Sequence, residues 1–242
     1  MTIKPILFNT PMTQAVRAGA KTETRRNINP APVFVEGGEF HEEDGKFNFH
    51  CENGLGSWIY AVTPPYKPGD ILYVRETWKI QSARRFDADV RVMFKSGGPM
   101  STIQFSGSRS WAAERDEYDA FVTKWTQSDC WHPSIHMPRA AARTFLRVTD
   151  LRVQRLREIT NDEALAEGIR CYNVGMGEAA YSKYQSFEEA KNHPFFDYPT
   201  GAFADLWDDT VKRDCRDFCG WSANPWVWVF RFELCQKPEV AE

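Results

Sequence analysis

Apolar and polar positions recur in this chain in a few well-separated stretches. Ile3 to Phe8 reads as a strand. After it, Met12, Ala15 and Val16 fall on one face of a short helix, with Thr10 as its cap and Pro11 in its first position. Gly19 suits the left-handed residue that ends it, and Thr22 and Thr24 then favour extended backbone, side by side at period two. Lys67-Pro68-Gly69-Asp70 signals a turn into a strand over Ile71 to Trp78. Leu72, Val74 and Glu76 would share one face of that strand, and Ile71, Tyr73, Arg75 and Thr77 the other. Phe145, Leu146, Val148, Leu151, Val153 and Leu156 fit two strands around Thr149-Asp150. Thr160-Asn161-Asp162-Glu163 is a capping box that starts a helix running to Glu167 and stopping at Gly168. A helix beginning at Thr200 or Gly201 carries the stripe Phe203, Leu206, Trp207. On the closing strand, Trp226, Trp228, Phe230 and Phe232 alternate, as a barrel interior would require.

Three stretches lack sustained periodicity and read as insertions. Asn29 to Tyr60 holds Pro, Gly and acidic residues, with a hairpin expected around Asp44-Gly45. Lys79 to Cys130 is Gly- and Ser-rich in part, with a helix over Ala112 to Lys124, and reads as surface decoration or a lid. Cys171 to Pro199 is the third. There is no internal repeat or low-complexity tract.

Composition narrows the class. The 242 residues are long enough for a sizeable core, and 42% hydrophobic with 26% charged content is ordinary for a globular chain. Aromatics at 14%, nine of them Trp, suit an aromatic core or base-stacking surfaces. A net charge of −3 argues against a general nucleic-acid coat but permits a local basic groove. Arg139, Arg143, Arg147, Arg152, Arg155 and Arg157 form such a basic segment, relieved only by Asp150 and Glu158. Six irregularly spaced cysteines, with no secretory signal and no membrane-length apolar run, point to reducing cytoplasm.

The chemistry concentrates in Gly19-Ala20-Lys21-Thr22-Glu23-Thr24-Arg25-Arg26. Lys21 offers a base or cation, Thr24 a hydroxyl and Arg26 an anion clamp, over a backbone that glycine lets come close. The plainer reading is a helix C-cap followed by a solvated basic strand. Glu167 at a helix end opposes the helix dipole, which favours a raised pKa or a cationic partner such as Lys21 or an arginine. Glu76 is either an acid beside a pocket or a surface charge paired with an arginine. Cys130-x-His132-x-x-x-His136 and Cys215-x-x-x-Cys219 miss the usual zinc spacings, so no metal is expected. Walker A, dinucleotide, G-x-S-x-G and H-E-x-x-H motifs are absent.

Gly19-x-Lys21-x-x-Thr24-x-Arg26 resembles the G-x-K-x-x-T-x-R signature of the ASCH domain family, a branch of the PUA-like superfamily. Lys67 to Val74, Thr144 to Leu156 and Asn224 to Phe232 resemble further family segments in the family's order. Val74-Arg75-Glu76-Thr77-Trp78 and Ile135-His136-Met137-Pro138-Arg139 are similar to the large members encoded by phages and prophages. The resemblance implies an α+β fold: one PUA-like mixed β-barrel built from residues 1–29, 66–78, 143–170 and 200–234. Short helices would flank it, and loop insertions would lie at about 30–65, 79–135 and 171–199.

Small bacterial members of the family are amidohydrolases acting on N4-acetylcytidine. Their catalytic positions carry over to Lys21, Thr24 and Glu167, the last through Ala164-Leu165-Ala166-Glu167. Arg26, Arg75, Glu76, Trp78, Arg139 and Arg143 are the corresponding substrate-binding candidates, with Arg139 and Arg143 forming a phosphate path beside Arg26. The expected partner is a nucleoside, nucleotide or single-stranded RNA, with no cofactor and no membrane. Alternatives are a non-catalytic reader of RNA or modified bases, a ribonuclease, and a phage structural protein that has lost its chemistry.

Overall fold

The structure, a computed structural model, describes residues 2–28, 39–43, 46–53, 56–105, 111–126, 129–175 and 177–238. The elements begin with β1 (Ile3–Leu7), α1 (Thr10–Arg17), β2 (Glu23–Asn27), β3 (Glu39–Glu43), β4 (Lys46–Asn53) and β5 (Gly56–Val62). Next come β6 (Ile71–Arg75), β7 (Trp78–Arg84), β8 (Asp89–Phe94), β9 (Ser101–Gln104), α2 (Trp111–Trp125) and β10 (Phe145–Arg155). The rest are α3 (Asn161–Ala166), β11 (Arg170–Asn173), β12 (Ala179–Ser182), α4 (Phe187–Ala190), α5 (Pro199–Thr210), α6 (Arg216–Cys219) and β13 (Trp226–Cys235). The class is mixed α+β and rich in sheet.

The chain groups into two compact units. The first holds Met1–Arg17, Ile71–Arg147 and Leu234–Glu242, and the second Ala18–Asp70 and Val148–Glu233. In the first, β1 runs parallel to β6, with Ile3 opposite Ile71, and β6 pairs antiparallel with the start of β10. All four of Ile71 to Val74 are buried, so β6 is covered on both faces. α1 is capped one residue earlier than the sequence suggests: Asn9 Oδ1 accepts from Met12 N at 2.9 Å, and Thr10 is the first helical residue. Gly19 takes φ +72°, as the motif requires.

Residues 79–135 are not loop decoration. β7, β8 and β9 form an antiparallel sheet, and with α2 they supply a core around Trp78. Val90, Val92 and Phe94 alternate inward from β8, against Ile103, Tyr118 and Met137. The strand expected over Ile71 to Trp78 breaks at Glu76 and Thr77, so Trp78 opens β7.

In the second unit β13 pairs antiparallel with β2, with Thr24 opposite Phe230 and Arg26 opposite Trp228. β3, β4 and β5 form an antiparallel sheet whose β3–β4 pairing closes at Glu43 and Lys46. That pairing frames the expected hairpin, and Asp44 and Gly45 themselves lie outside the described residues. Phe47 of β4 meets Trp228 edge-on at 4.8 Å, and Tyr66 meets Phe230 at 5.1 Å. The region read as the first insertion thus covers the closing strand. Val227 and Val229 are buried as well, so β13 is sandwiched rather than lining a barrel. The strand row β1-β6-β10-β13-β2 ends at β1 and β2, and no closed barrel forms among the described residues. β10 is a single strand, with Thr149 and Asp150 as exposed strand positions instead of a turn. The capping box of α3 is present, and Ala202, Phe203, Leu206 and Trp207 form the buried face of α5. No helix among the described residues is long and apolar enough to cross a membrane.

Candidate functional site

Lys21 and Glu167 meet within the second unit, 146 positions apart in sequence. The turn after Gly19 delivers Lys21, which forms an isolated antiparallel bridge with Glu167. Thr22 N donates to Ala166 O at 2.8 Å, and Phe232 N to Thr22 O at 2.9 Å, which fixes the motif between α3 and β13. Glu167 is the C-cap of α3, just before Gly168 at φ +99°. Lys21 Nζ donates to the Glu167 backbone oxygen at 2.8 Å and to its carboxylate Oε2. It thereby occupies an orphan carbonyl at a helix end and the electronegative pole of that helix together.

This pair belongs to a larger charge lattice. Arg25 Nη1 reaches Glu167 Oε1 at 3.1 Å and Glu23 Oε1 at 3.0 Å, and its Nη2 reaches Glu163 Oε2 at 2.9 Å. Arg152 Nη2 bridges Glu23 Oε1 at 2.9 Å and Glu163 Oε1 at 2.6 Å. Arg231 reaches Glu23 Oε2 at 3.4 Å from a more exposed position. Every carboxylate oxygen of Glu23, Glu163 and Glu167 therefore has a cationic partner. Phe203 of α5 closes over Arg25, its ring centroid 5.7 Å from the guanidinium carbon. The Arg25 Nε is buried without a hydrogen-bond partner.

The side chain of Lys21 is wholly buried and that of Glu167 nearly so. Burial lowers the Lys21 pKa. Glu167 opposes this through charge and hydrogen bond, while Arg26 and Arg25 lower it further. Burial pushes the Glu163 carboxyl up, but the Thr160 N–H and the Arg25 and Arg152 guanidiniums outweigh it and hold it below the usual range. Arg26 is half-buried. Burial lowers its pKa, with Tyr66 and Glu167 opposing.

Thr24 is buried on β2, at the position opposite Phe230. Strand alternation directs Glu23 and Arg25 to one face of β2 and Thr24 and Arg26 to the other. The structure brings Lys21 and Glu167 together with Arg25, and sets Thr24 on the opposite face of β2 from Arg25.

The remaining candidates lie in the first unit. Glu76 is buried and held by Arg143 through Nε–Oε1 at 2.9 Å and Nη2–Oε2 at 2.7 Å. Ser96 Oγ donates to the same carboxylate. Arg143 also donates to the Gly97 and Pro99 carbonyls and lies 3.9 Å from the Phe94 ring centroid. Every nitrogen of its guanidinium has a partner inside the protein. Trp78 is fully buried among Phe121, Trp125 and His132, where it is core and has no face for a base. Arg75 donates to Ile135 O at 3.1 Å and Tyr73 Oη at 3.3 Å. Arg139 is exposed and lines a cleft of about 260 Å³ with Phe145 and Lys237. His132 donates its Nε2–H to the Trp125 carbonyl, 2.9 Å away, in a structural setting. No group of three or more His, Cys, Asp or Glu among the described residues is arranged to hold a metal ion.

No protein-family model, curated protein or solved structure matches this chain. The sequence alone does not single out Glu23, Arg25 or Glu163 as members of the site. Their signals are nonetheless present: Glu23 and Arg25 share a face at strand period two, and Glu163 and Glu167 share one at helical i, i+4 spacing.

Proposed function

We propose that this chain is a PUA-like, ASCH-type amidohydrolase that removes the acyl group from N4 of an acylated cytidine. The observation that carries the reading is the buried Lys21–Glu167 contact, backed by Arg25. Two motif positions that the resemblance pairs in catalysis touch here across a long sequence separation. A lysine whose pKa burial lowers is a more competent base near neutral pH than a solvated one.

In the proposed reaction the Thr24 hydroxyl attacks the acyl carbonyl and its proton passes to Lys21. Collapse of the tetrahedral intermediate breaks the C–N4 bond, and the proton returns to the departing cytidine amine. Water then cleaves the threonine ester, releasing a carboxylic acid. Glu167 orients Lys21 and compensates its charge when it is protonated. The buried Arg25 Nε–H is an unspent donor close to this centre. Attack requires Thr24 to turn toward Lys21, a local movement of the β2 edge on substrate binding.

The test is release of cytidine from a panel of N4-acyl cytidines by the wild type, Lys21→Ala, Thr24→Ala and Glu167→Gln. Turnover by the wild type and its loss in Lys21→Ala and Thr24→Ala are expected. A folded wild type inert on the whole panel would reject the reading.

The near-complete seal around Lys21 and Glu167 favours one second reading. In it the charge lattice is a clamp that shapes a non-catalytic surface for RNA or a modified base. Binding of RNA without turnover, unchanged in Lys21→Ala, would select it.

A further inference from the structure

Cys215 and Cys219, whose spacing misses a zinc framework, lie in the second unit and line one cavity of about 460 Å³. Cys215 is the N-cap of α6 and Cys219 its last residue. The helical rise over four residues puts their Cα atoms roughly 6 Å apart on one face. That separation falls inside the window of about 4.4–6.8 Å that a disulfide spans. Because both residues line the same cavity, their side chains share one side of the turn. Both are half-buried and neither is in a disulfide, so a small reagent can reach them. Lys212, three residues before Cys215, lines the cavity too, and a neighbouring cation favours the thiolate over the thiol. Cys219 is the contrasting member: burial pushes its thiol up, and Cys215 pushes it further. The helix that carries the pair is tied to α5. Trp207 donates its indole N–H to the Cys219 carbonyl at 2.8 Å, and Arg216 Nη2 donates to the Asp208 carbonyl at 2.9 Å. Trp221 N donates to Asp208 Oδ1 at 2.8 Å.

We infer that Cys215 and Cys219 are a redox-responsive dithiol, a modification site for low-molecular-weight disulfides such as oxidised glutathione, independent of the amidohydrolase reading. The Cys215 thiolate attacks one sulfur of the small disulfide. That S–S bond breaks, one half leaves as a thiolate that takes a proton from solvent, and the other half stays on Cys215. Cys219 then gives its proton to water and attacks the Cys215 sulfur, expelling the second half as a thiol once solvent protonates it. Two electrons pass from the protein to the small disulfide, which becomes two thiols while Cys215 and Cys219 become one disulfide. A solitary accessible thiol would stop at the mixed disulfide, and a resolving neighbour is what carries the exchange to completion. The new bond draws the two ends of α6 together. Trp207 is the first group outside α6 to feel it, through the Cys219 carbonyl.

The experiment incubates the full chain with oxidised glutathione, blocks the remaining thiols with N-ethylmaleimide and reads the tryptic digest by mass spectrometry. Trypsin cleaves after Arg213, Arg216 and Arg231, so Cys215 and Cys219 fall on different peptides and their disulfide appears as a linked pair. The wild type is expected to give that pair, released by dithiothreitol, while the exposed Cys130 and Cys171 give only mixed disulfides or blocked thiols. Cys219→Ser should leave glutathione stranded on Cys215. Tryptophan emission of the wild type should shift on oxidation and return on reduction, and Cys215→Ser, treated alongside, should show no such shift. Glutathione carried separately by both cysteines of the wild type, Cys215 left unreacted, either cysteine linked to a different one, or a linked pair without a change in emission would each overturn the inference.

Discussion

The two units each bury a cluster of opposite charges, and the clusters differ in what they leave undone. In the first unit Glu76 and Arg143 form a two-point fork, closed by Ser96, two backbone carbonyls and the Phe94 ring. Every nitrogen of the guanidinium has a partner inside the unit. In the second unit Lys21, Arg25 and Arg152 interlock with Glu23, Glu163 and Glu167. This lattice contains a lysine whose pKa burial lowers, and an arginine Nε with no partner. Burial of charge is common to both clusters and so does not mark a site. A group that can still lose a proton and a donor that is still unspent distinguish the second.

The contrast breaks most visibly in stability. Glu76→Ala should strand a guanidinium whose side chain is only 8% exposed, costing about 3–5 kcal/mol in denaturant unfolding. Activity per folded molecule should be unchanged. Lys21→Met should show the opposite balance. Glu167 keeps Arg25 at 3.1 Å, so the variant should fold with a loss of only about 1–3 kcal/mol, yet lose all deacylation. Equal stability losses in the two variants would erase the distinction between the clusters.

The pH dependence sharpens it further. Stability rises with pH wherever the unfolded state binds more protons than the folded one. Glu163 has a lowered folded pKa, so its contribution is complete above the unfolded value of roughly 4.3 and disappears as pH falls through the folded one. Lys21 also has a lowered folded pKa, so stability should rise as pH climbs from that value toward the roughly 10.4 of an unfolded lysine. Chemical denaturation across this alkaline window should show the rise in the wild type and not in Lys21→Met. A wild type that loses stability there would mean that Glu167, and not burial, dominates the lysine.

Much of this arrangement is legible before folding, and the illegible part has physical causes. The helix stop at Gly19, the capping box at Thr160 and the placement of Glu167 at a helix end all rest on local backbone rules, which act over a few residues. The single strand β10 was hidden because Thr149-Asp150 resembles a turn in sequence, although Thr149 is itself a strand former. Residues 79–135 look like decoration because their Gly and Ser punctuation masks the alternation of Val90, Val92 and Phe94. Trp78 reads as a substrate-binding candidate in a motif, whereas its burial depends on Phe121, Trp125 and His132 from later in the chain. The partners of Lys21 are legible in kind, since Glu167 calls for a cation. The additional roles of Arg25 and Arg152 follow only from the placing of β2 and β10 on either side of β13, with Glu163 and Glu167 of α3 and its cap brought to them.

The smallest expected effect concerns the rim of the lattice. Arg231 reaches Glu23 at 3.4 Å, but its side chain is 56% exposed, while Glu23 is already held by Arg25 and Arg152 at 3.0 and 2.9 Å. Water and salt screen the outer contact, so Arg231→Gln should cost no more than about 0.5 kcal/mol and leave turnover within twofold. Arg152→Gln removes a member that touches both Glu23 and Glu163, and should cost more, about 1–2 kcal/mol after allowance for its partial exposure. Unfolding of the two variants and of the double variant would measure whether they act through Glu23. Coupling is expected, because both guanidiniums bind one carboxylate and each is more needed when the other is absent. If the two losses simply add, Arg231 is a solvated surface charge and the lattice ends at Arg152.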